Sequence, residues 1–193
     1  MMKKGNALLI ALIAAAGSTF AQGTWAVDKS HSKVGFAVRH MGISEVDGKF
    51  NDFDGSVVSK AEDFNGAEVT FTAKTASIDT DNEKRDGHLK SPDFFEAEKF
   101  PEISFKGTLV KDGGQYKLKG DFTMHGVTKK VDFDVTYGGT MDTGKGQKAG
   151  FKLTGKIDRK DFGLTWANKS PGGELVVSDT VEIVAKIEAD KKA

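Results

Sequence analysis

Hydrophobic side chains recur at every second position in one stretch of this chain after another. Val34, Phe36 and Val38 are each separated by a single residue, and after a break at Met41-Gly42 the same spacing returns at Val46, Gly48 and Phe50. A period of two puts one side of an extended chain against a dry interior and the other in water, so these residues predict a half-buried hairpin. Six further rows follow: Val69, Phe71 and Ala73; Ile103, Phe105, Gly107 and Leu109; Tyr116, Leu118, Gly120, Phe122 and Met124; Val131, Phe133, Val135 and Tyr137; Phe151, Leu153, Gly155 and Ile157; Val181, Ile183, Ala185 and Ile187. Charged residues such as Lys117, Lys119, Asp132, Asp134, Lys156 and Glu182 stand between them, giving each of about eight strands one wet and one dry face.

The connections suit antiparallel neighbours. Asp112-Gly113-Gly114 and His125-Gly126 are short turn signals, and Thr140 to Lys148 reads as a longer Gly-rich hairpin loop. Two connections are long. Thr80 to Pro101 opens with Thr80-x-x-Glu83, a capping-box spacing that predicts a short helix through Leu89, then a second turn from Asp93 with Glu96 three residues on. Asp158 to Asp179 carries Phe162, Trp166, Pro171, Gly172 and Gly173.

Amphipathic antiparallel strands with no helix long enough to cover a sheet leave a closed barrel or a two-sheet sandwich. Closure removes exposed edges, and at eight strands the interior is filled by side chains or holds one small ligand. The inward rows include Gly48, Ala73, Gly107, Gly120, Gly155 and Ala185. Such residues either leave volume for a ligand or mark bends in a solidly packed barrel.

The first residues add a compartment. Lys3 and Lys4 precede an apolar run from Ala7 to Ala16 and a small-x-small signal at Thr19-Phe20-Ala21, the pattern of a secretory signal peptide over residues 1–21. The run is shorter than the roughly 20 residues of a spanning helix, so no membrane span is expected after processing near Ala21, and residues 22–193 are expected to form one exported domain. Without the leader, 26 Lys and Arg face 28 Asp and Glu, a net charge of about −2 that offers no basic surface to nucleic acid. The chain has no cysteine, so its core must hold it together without disulfides.

Five ordered motifs carry a resemblance. They are Val27-Asp28-x-x-His31-Ser32-x-Val34-x-Phe36-x-Val38-x-His40; Val46-x-Gly48-x-Phe50-x-x-Phe53-x-Gly55; His88 through Pro101; Met124-His125-Gly126-Val127-Thr128; and Ile157-Asp158-Arg159-Lys160-Asp161-Phe162-Gly163-Leu164. Together they closely resemble the YceI-like family of periplasmic, lipocalin-like proteins over nearly the whole chain after the leader, with Pro92 a small departure in a loop. The resemblance implies an all-β fold, an eight-stranded antiparallel lipocalin-like β-barrel, here with a short helix in the loop near residues 80–92. It also implies a periplasmic carrier or storage protein, associated with alkaline or osmotic stress, that holds a polyisoprenoid or isoprenoid-quinone-like lipid with its head group near the mouth. An enzyme acting on a prenyl or other lipid substrate in the same cavity is the alternative.

An apolar slot for such a tail is expected from the large inward residues Phe36, Val38, Phe50, Phe71, Phe105, Leu118, Phe122, Phe133, Phe151 and Leu153. His31, His40 and Arg159 are the candidates for its head group. Each has a plainer reading: the histidines as hydrogen-bonded residues at strand ends, and Arg159, in Asp158-Arg159-x-Asp161, as an ion pair that pins the long loop. His31, His40, His88 and His125 match no metal-ligand spacing, no catalytic motif occurs, and neither metal nor cofactor is expected. An outer-membrane barrel shares the alternation, but its dry face would point outward and need aromatic girdles, which two tryptophans and two tyrosines do not supply. Two such barrels pairing as a homodimer stays open.

Overall fold

The computed structural model describes residues 22–192, and the expected leader lies outside them. The strands are β1 (Gly23–Val27), β2 (Lys33–His40), β3 (Ser44–Phe50), β4 (Phe53–Ser59), β5 (Ala67–Lys74), β6 (Ile78–Asp79), β7 (Glu102–Asp112), β8 (Gln115–Met124), β9 (Val127–Asp142), β10 (Gln147–Asp158) and β11 (Val177–Lys191), with one helix, α1 (Glu83–Lys90). β11 pairs with β2 along Val177–Lys186 and with β1 along Ala189–Lys191. β3 and β4 likewise pair with β2 and β1, and β6 and β5 with β3 and β4. β1 and β2 are therefore one barrel strand bent at residues 28–32; β3 and β4 bend at residues 51–52, and β5 and β6 at residues 75–77. Counted this way there are eight antiparallel strands, and the β1–β11 ladder closes the ring.

The alternation in sequence becomes the wall of this barrel. Ile103, Phe105, Leu109, Leu118, Phe122 and Phe133 are buried on the inner face. On the outer face Lys117 meets Asp134 and Lys156 meets Glu182, each pair directly opposed across its ladder at 2.7 Å. Such exposed pairs add little stability, but charges along the middle of these strands would be costly against hydrocarbon, which makes the inner face the dry one.

Most inward glycines do not supply empty space. A Cβ at Gly48 would overlap the Phe36 ring, one at Gly155 the Phe133 ring, and ones at Gly107 and Gly120 the Phe105 ring. Each of these glycines is the seat of a phenylalanine ring, so of the two readings left open by the sequence, room for a ligand does not hold at these four positions. Ala73 and Ala185 alone of the six small inward residues border the interior void.

One end of the barrel is sealed. Phe64, only 1% exposed in the loop between β4 and β5, packs its ring 5.2 Å from Trp25, 5.3 Å from Tyr137 and 5.1 Å from Phe151. Tyr116 locks that loop by donating its hydroxyl to the Asp63 carbonyl at 2.7 Å. At the other end, residues 80–101 and 159–176 cross the opening. The helix starts later than the capping-box spacing predicts: Asn82 is the N-cap, its side chain accepting from the Arg85 amide, whereas Thr80 is drawn off to Asp86 and Arg85. The turn after it begins at Ser91, whose carbonyl accepts from Phe94, and the β9–β10 loop is shorter than expected because β9 runs on to Asp142.

Candidate functional site

A cavity of about 490 Å³ runs inside the barrel, within the roughly 300–1,000 Å³ usual for small-molecule sites. All ten apolar residues expected in a slot border it: Phe36, Val38, Phe50, Phe71, Phe105, Leu118, Phe122, Phe133, Phe151 and Leu153. They come from β2, β3, β5 and β7 through β10, so that the walls are drawn from most of the ring. Trp25, Phe64 and Tyr137 lie beyond the cavity and close its floor.

The mouth is built largely from the two long connections. Phe94 and Trp166, one from each, face one another with ring centroids 5.1 Å apart, and His88 sets its ring edge-on to both. The His88 Nε2 lies 2.9 Å from an Asp93 carboxylate oxygen, which orients the imidazole. Phe95 turns edge-on to Phe50 at 6.3 Å and ties the same connection to the barrel wall. Arg85 stands at the rim with its guanidinium donating to the Thr80 hydroxyl at 2.8 Å and the Thr80 carbonyl at 2.7 Å. These residues have no periodicity to announce them. The signal present in the sequence is the length of the two connections, since long loops in a compact domain are usually functional.

The three polar candidates separate. His40 ends β2 beside the mouth and borders the cavity. Arg159 also borders it, but its guanidinium, 3% exposed, donates to the carbonyls of Leu164 (2.6 Å) and Ser178 (3.0 Å) and pairs with Asp179 at 3.0 Å. It pins the loop of residues 159–176 to the start of β11, as its plainer reading held. Burial pushes its pKa down from the ordinary arginine value, and Asp179 opposes that shift.

His31 lies elsewhere, in the bend between β1 and β2 on the outside of the barrel, and is not at the mouth. Its Nδ1 is 2.8 Å from Asp28, and Glu188 completes a trio close enough to share an ion. The Lys148 ammonium stands there instead, 3.0 Å from Asp28 and 2.7 Å from both Glu188 and Asp190. Hydrogen bonds from Ser30, His31 and Lys148 hold the Asp28 carboxyl well below the usual range, and Asp28 in turn raises the His31 pKa.

The sign of the resulting pH dependence differs between the two. A raised histidine contributes stability that is whole below its unfolded value of about 6.5 and is lost as pH rises through the folded value; a depressed aspartate contributes above about 3.9 and loses it as pH falls. Melting temperature is therefore expected to decline gently from about pH 6 to 8. His31→Gln should flatten that limb, and leave the acid limb in place, in a series of thermal melts; an unchanged slope would show that the pair is fully screened by water.

Comparison with known proteins follows the same lines. A family model for the YceI-like domain matches residues 25–189. A UPF0312 protein of Photorhabdus laumondii is 40% identical over 152 residues, 77% of this chain and 79% of its own, and one of Pseudomonas putida is 34% identical over 100% of both. The solved YCEI protein of Campylobacter jejuni superposes with a TM-score of 0.69 at 32% identity, covering 86% of this chain and 96% of that one. A polyisoprenoid binding domain from Saccharophagus degradans superposes with a TM-score of 0.65 over 87% and 98% of the two chains, at 15% identity a likeness of fold alone.

Proposed function

This chain belongs to the YceI-like family, and from that membership and its one-ended apolar tube we propose that it binds a long isoprenoid lipid, tail inward, as a carrier or store and not as an enzyme. The observation that carries the reading is the cavity itself: dry walls from most of the barrel, a sealed floor, and a mouth at the opposite end. A polyprenyl tail offers only apolar area. At about 0.8 kcal/mol per buried methylene-sized group, each five-carbon unit is worth roughly 4 kcal/mol. Association costs about 4–15 kcal/mol, so roughly three or four units leave micromolar affinity without any specific chemistry.

The polar groups at the mouth that border the cavity, Arg85, His88 and His40, can all donate hydrogen bonds, while Arg159 is already committed to its own loop, and the cavity's lining residues include no carboxylate. That inventory suits a head group of acceptor character, a quinone-like carbonyl or a phosphate, and disfavours an amine. The binding of polyisoprenoid by the Saccharophagus domain, on the same fold, supports this choice of ligand class. The leader expected at residues 1–21 would place the protein in the periplasm, between the two membranes that hold such lipids.

Extraction of the purified protein with organic solvent, followed by mass spectrometry, tests the reading. A prenyl chain bearing an oxygen-containing head group is the expected result. Repeated recovery of an empty barrel that also takes up no prenyl alcohol from solution would overturn it.

A further inference from the structure

Among the described residues, three large hydrophobic side chains stand well exposed: Ile43 at 87%, Met141 at 64% and Met41 at 38%. Met141 lies near the end of β9, on the sealed side. Met41 and Ile43 share one three-residue turn, Met41-Gly42-Ile43, between β2 and β3 at the mouth. The Met41 amide donates to the Val176 carbonyl at 3.0 Å, and Val176 and His40 beside it both border the cavity. The turn is thus fastened to the rim itself.

Met41 is also an unexpected residue for its backbone. Its φ is +50° and that of Gly42 +72°, a left-handed pair that Asn-Gly adopts at least cost. An unbranched apolar residue there gains nothing in local conformation. Two apolar side chains at the tip, one at a position where turn sterics favour asparagine, form a small greasy projection at the edge of an opening that reads as an entrance for lipid.

We propose that this tip docks in the apolar layer of a lipid bilayer and sets the mouth against the membrane, so that the tail slides into the barrel without crossing water. The proposal rests on the carrier reading above and names the surface from which that site is loaded. Its physical reason is that a tail leaving the bilayer through water must expose nearly all the area that the barrel later covers, a barrier that direct contact removes. Charges at this end are mixed, with Lys84, Lys90 and Lys169 alongside Glu45, Asp81 and Glu174. Apolar insertion and not attraction to anionic lipid should therefore govern the contact, and neutral phosphatidylcholine should suffice.

The test uses the purified protein with phosphatidylcholine vesicles carrying a long-chain polyprenol, and reads three quantities: co-flotation with vesicles, polyprenol transferred to protein over time, and affinity for farnesol added in solution. Ile43→Ser is expected to reduce flotation and transfer by about tenfold, the order set by burying one such side chain, while farnesol affinity stays within about twofold. Met41→Asn should slow transfer yet raise the melting temperature, because asparagine suits the turn. Met141→Ser should change neither. Transfer at the parent rate by Ile43→Ser, with farnesol still bound, overturns the docking proposal and leaves the carrier reading standing. Failure of the parent protein to bind farnesol overturns both. A slowed transfer that tracks loss of a dimer in sedimentation assigns the tip to a second copy and also overturns it.

Discussion

Gly107→Ala is expected to cost roughly 4 kcal/mol and to move the denaturant midpoint far below that of the parent protein. β7 and β8 approach one another so closely at Gly107 and Gly120, which are direct partners, that a Cβ on Gly107 would overlap the Lys119 carbonyl oxygen and lie 2.8 Å from the Gly120 Cα. The Phe105 ring, 2.7 Å from the same point, fills what space remains. A flexible side chain could turn aside, but two backbones held in a ladder cannot. A domain of this kind has only about 5–15 kcal/mol in total to lose. Gly150→Ala is the contrast, since a Cβ there meets nothing within 4 Å, and it should be neutral or slightly stabilising. Denaturant midpoints for the two variants check the claim; equal midpoints would mean that the strands part easily at this crossing.

Val38→Trp is expected to keep the fold and lower affinity for a prenyl chain by about a hundredfold or more. Val38 faces the cavity from β2, partnered by Val46 and Val181 on the flanking strands, in the half of the tube nearer the mouth. An indole there projects into void and not into packed atoms, so overpacking strain should be modest. Displacing even one isoprene unit forfeits about 4 kcal/mol of burial, close to a thousandfold, of which relaxation of the tail recovers part. Titration with a prenyl alcohol, alongside a melting curve, separates blocked binding from misfolding. Unaltered affinity in a folded variant would place the tail outside the barrel.

The strands were legible in this sequence because an antiparallel meander repeats one signal, and every second residue of Tyr116 to Met124 reports which face is dry. Even the glycine pairing could be counted out, since the two-residue turn Gly113-Gly114 sets the register that places Gly107 opposite Gly120. That Phe36 lies over Gly48 follows equally from their ladder. The sense of the signal is harder to read, because a gap in a row looks the same whether a ligand or a neighbour's ring fills it.

The bends were less legible: inward positions pass from odd (Trp25, Val27) to even (Val34, Phe36) across residues 28–32 and from even (Val46, Phe50) to odd (Phe53, Val57) across residues 51–52, a change of phase that an ordinary loop between separate strands would also produce. His31 was displaced by the first of these bends, which turns its side chain out toward Asp28 and Lys148. The mouth was the least legible part. Phe94, His88 and Trp166 meet only because two connections far apart in sequence cross the same opening, and a contact of that range leaves no period in the chain.

The aromatic floor under Trp25, Phe64 and Tyr137 makes the barrel a blind sleeve, and a blind sleeve has an order of service. A molecule drawn in by its oily tip must back out the way it came, so the polar end, last to arrive, is first to reappear. On the proposed carrier reading, a recipient would therefore be offered the oxygen-bearing terminus before the hydrocarbon, and could take hold of that handle while the rest is still sheathed.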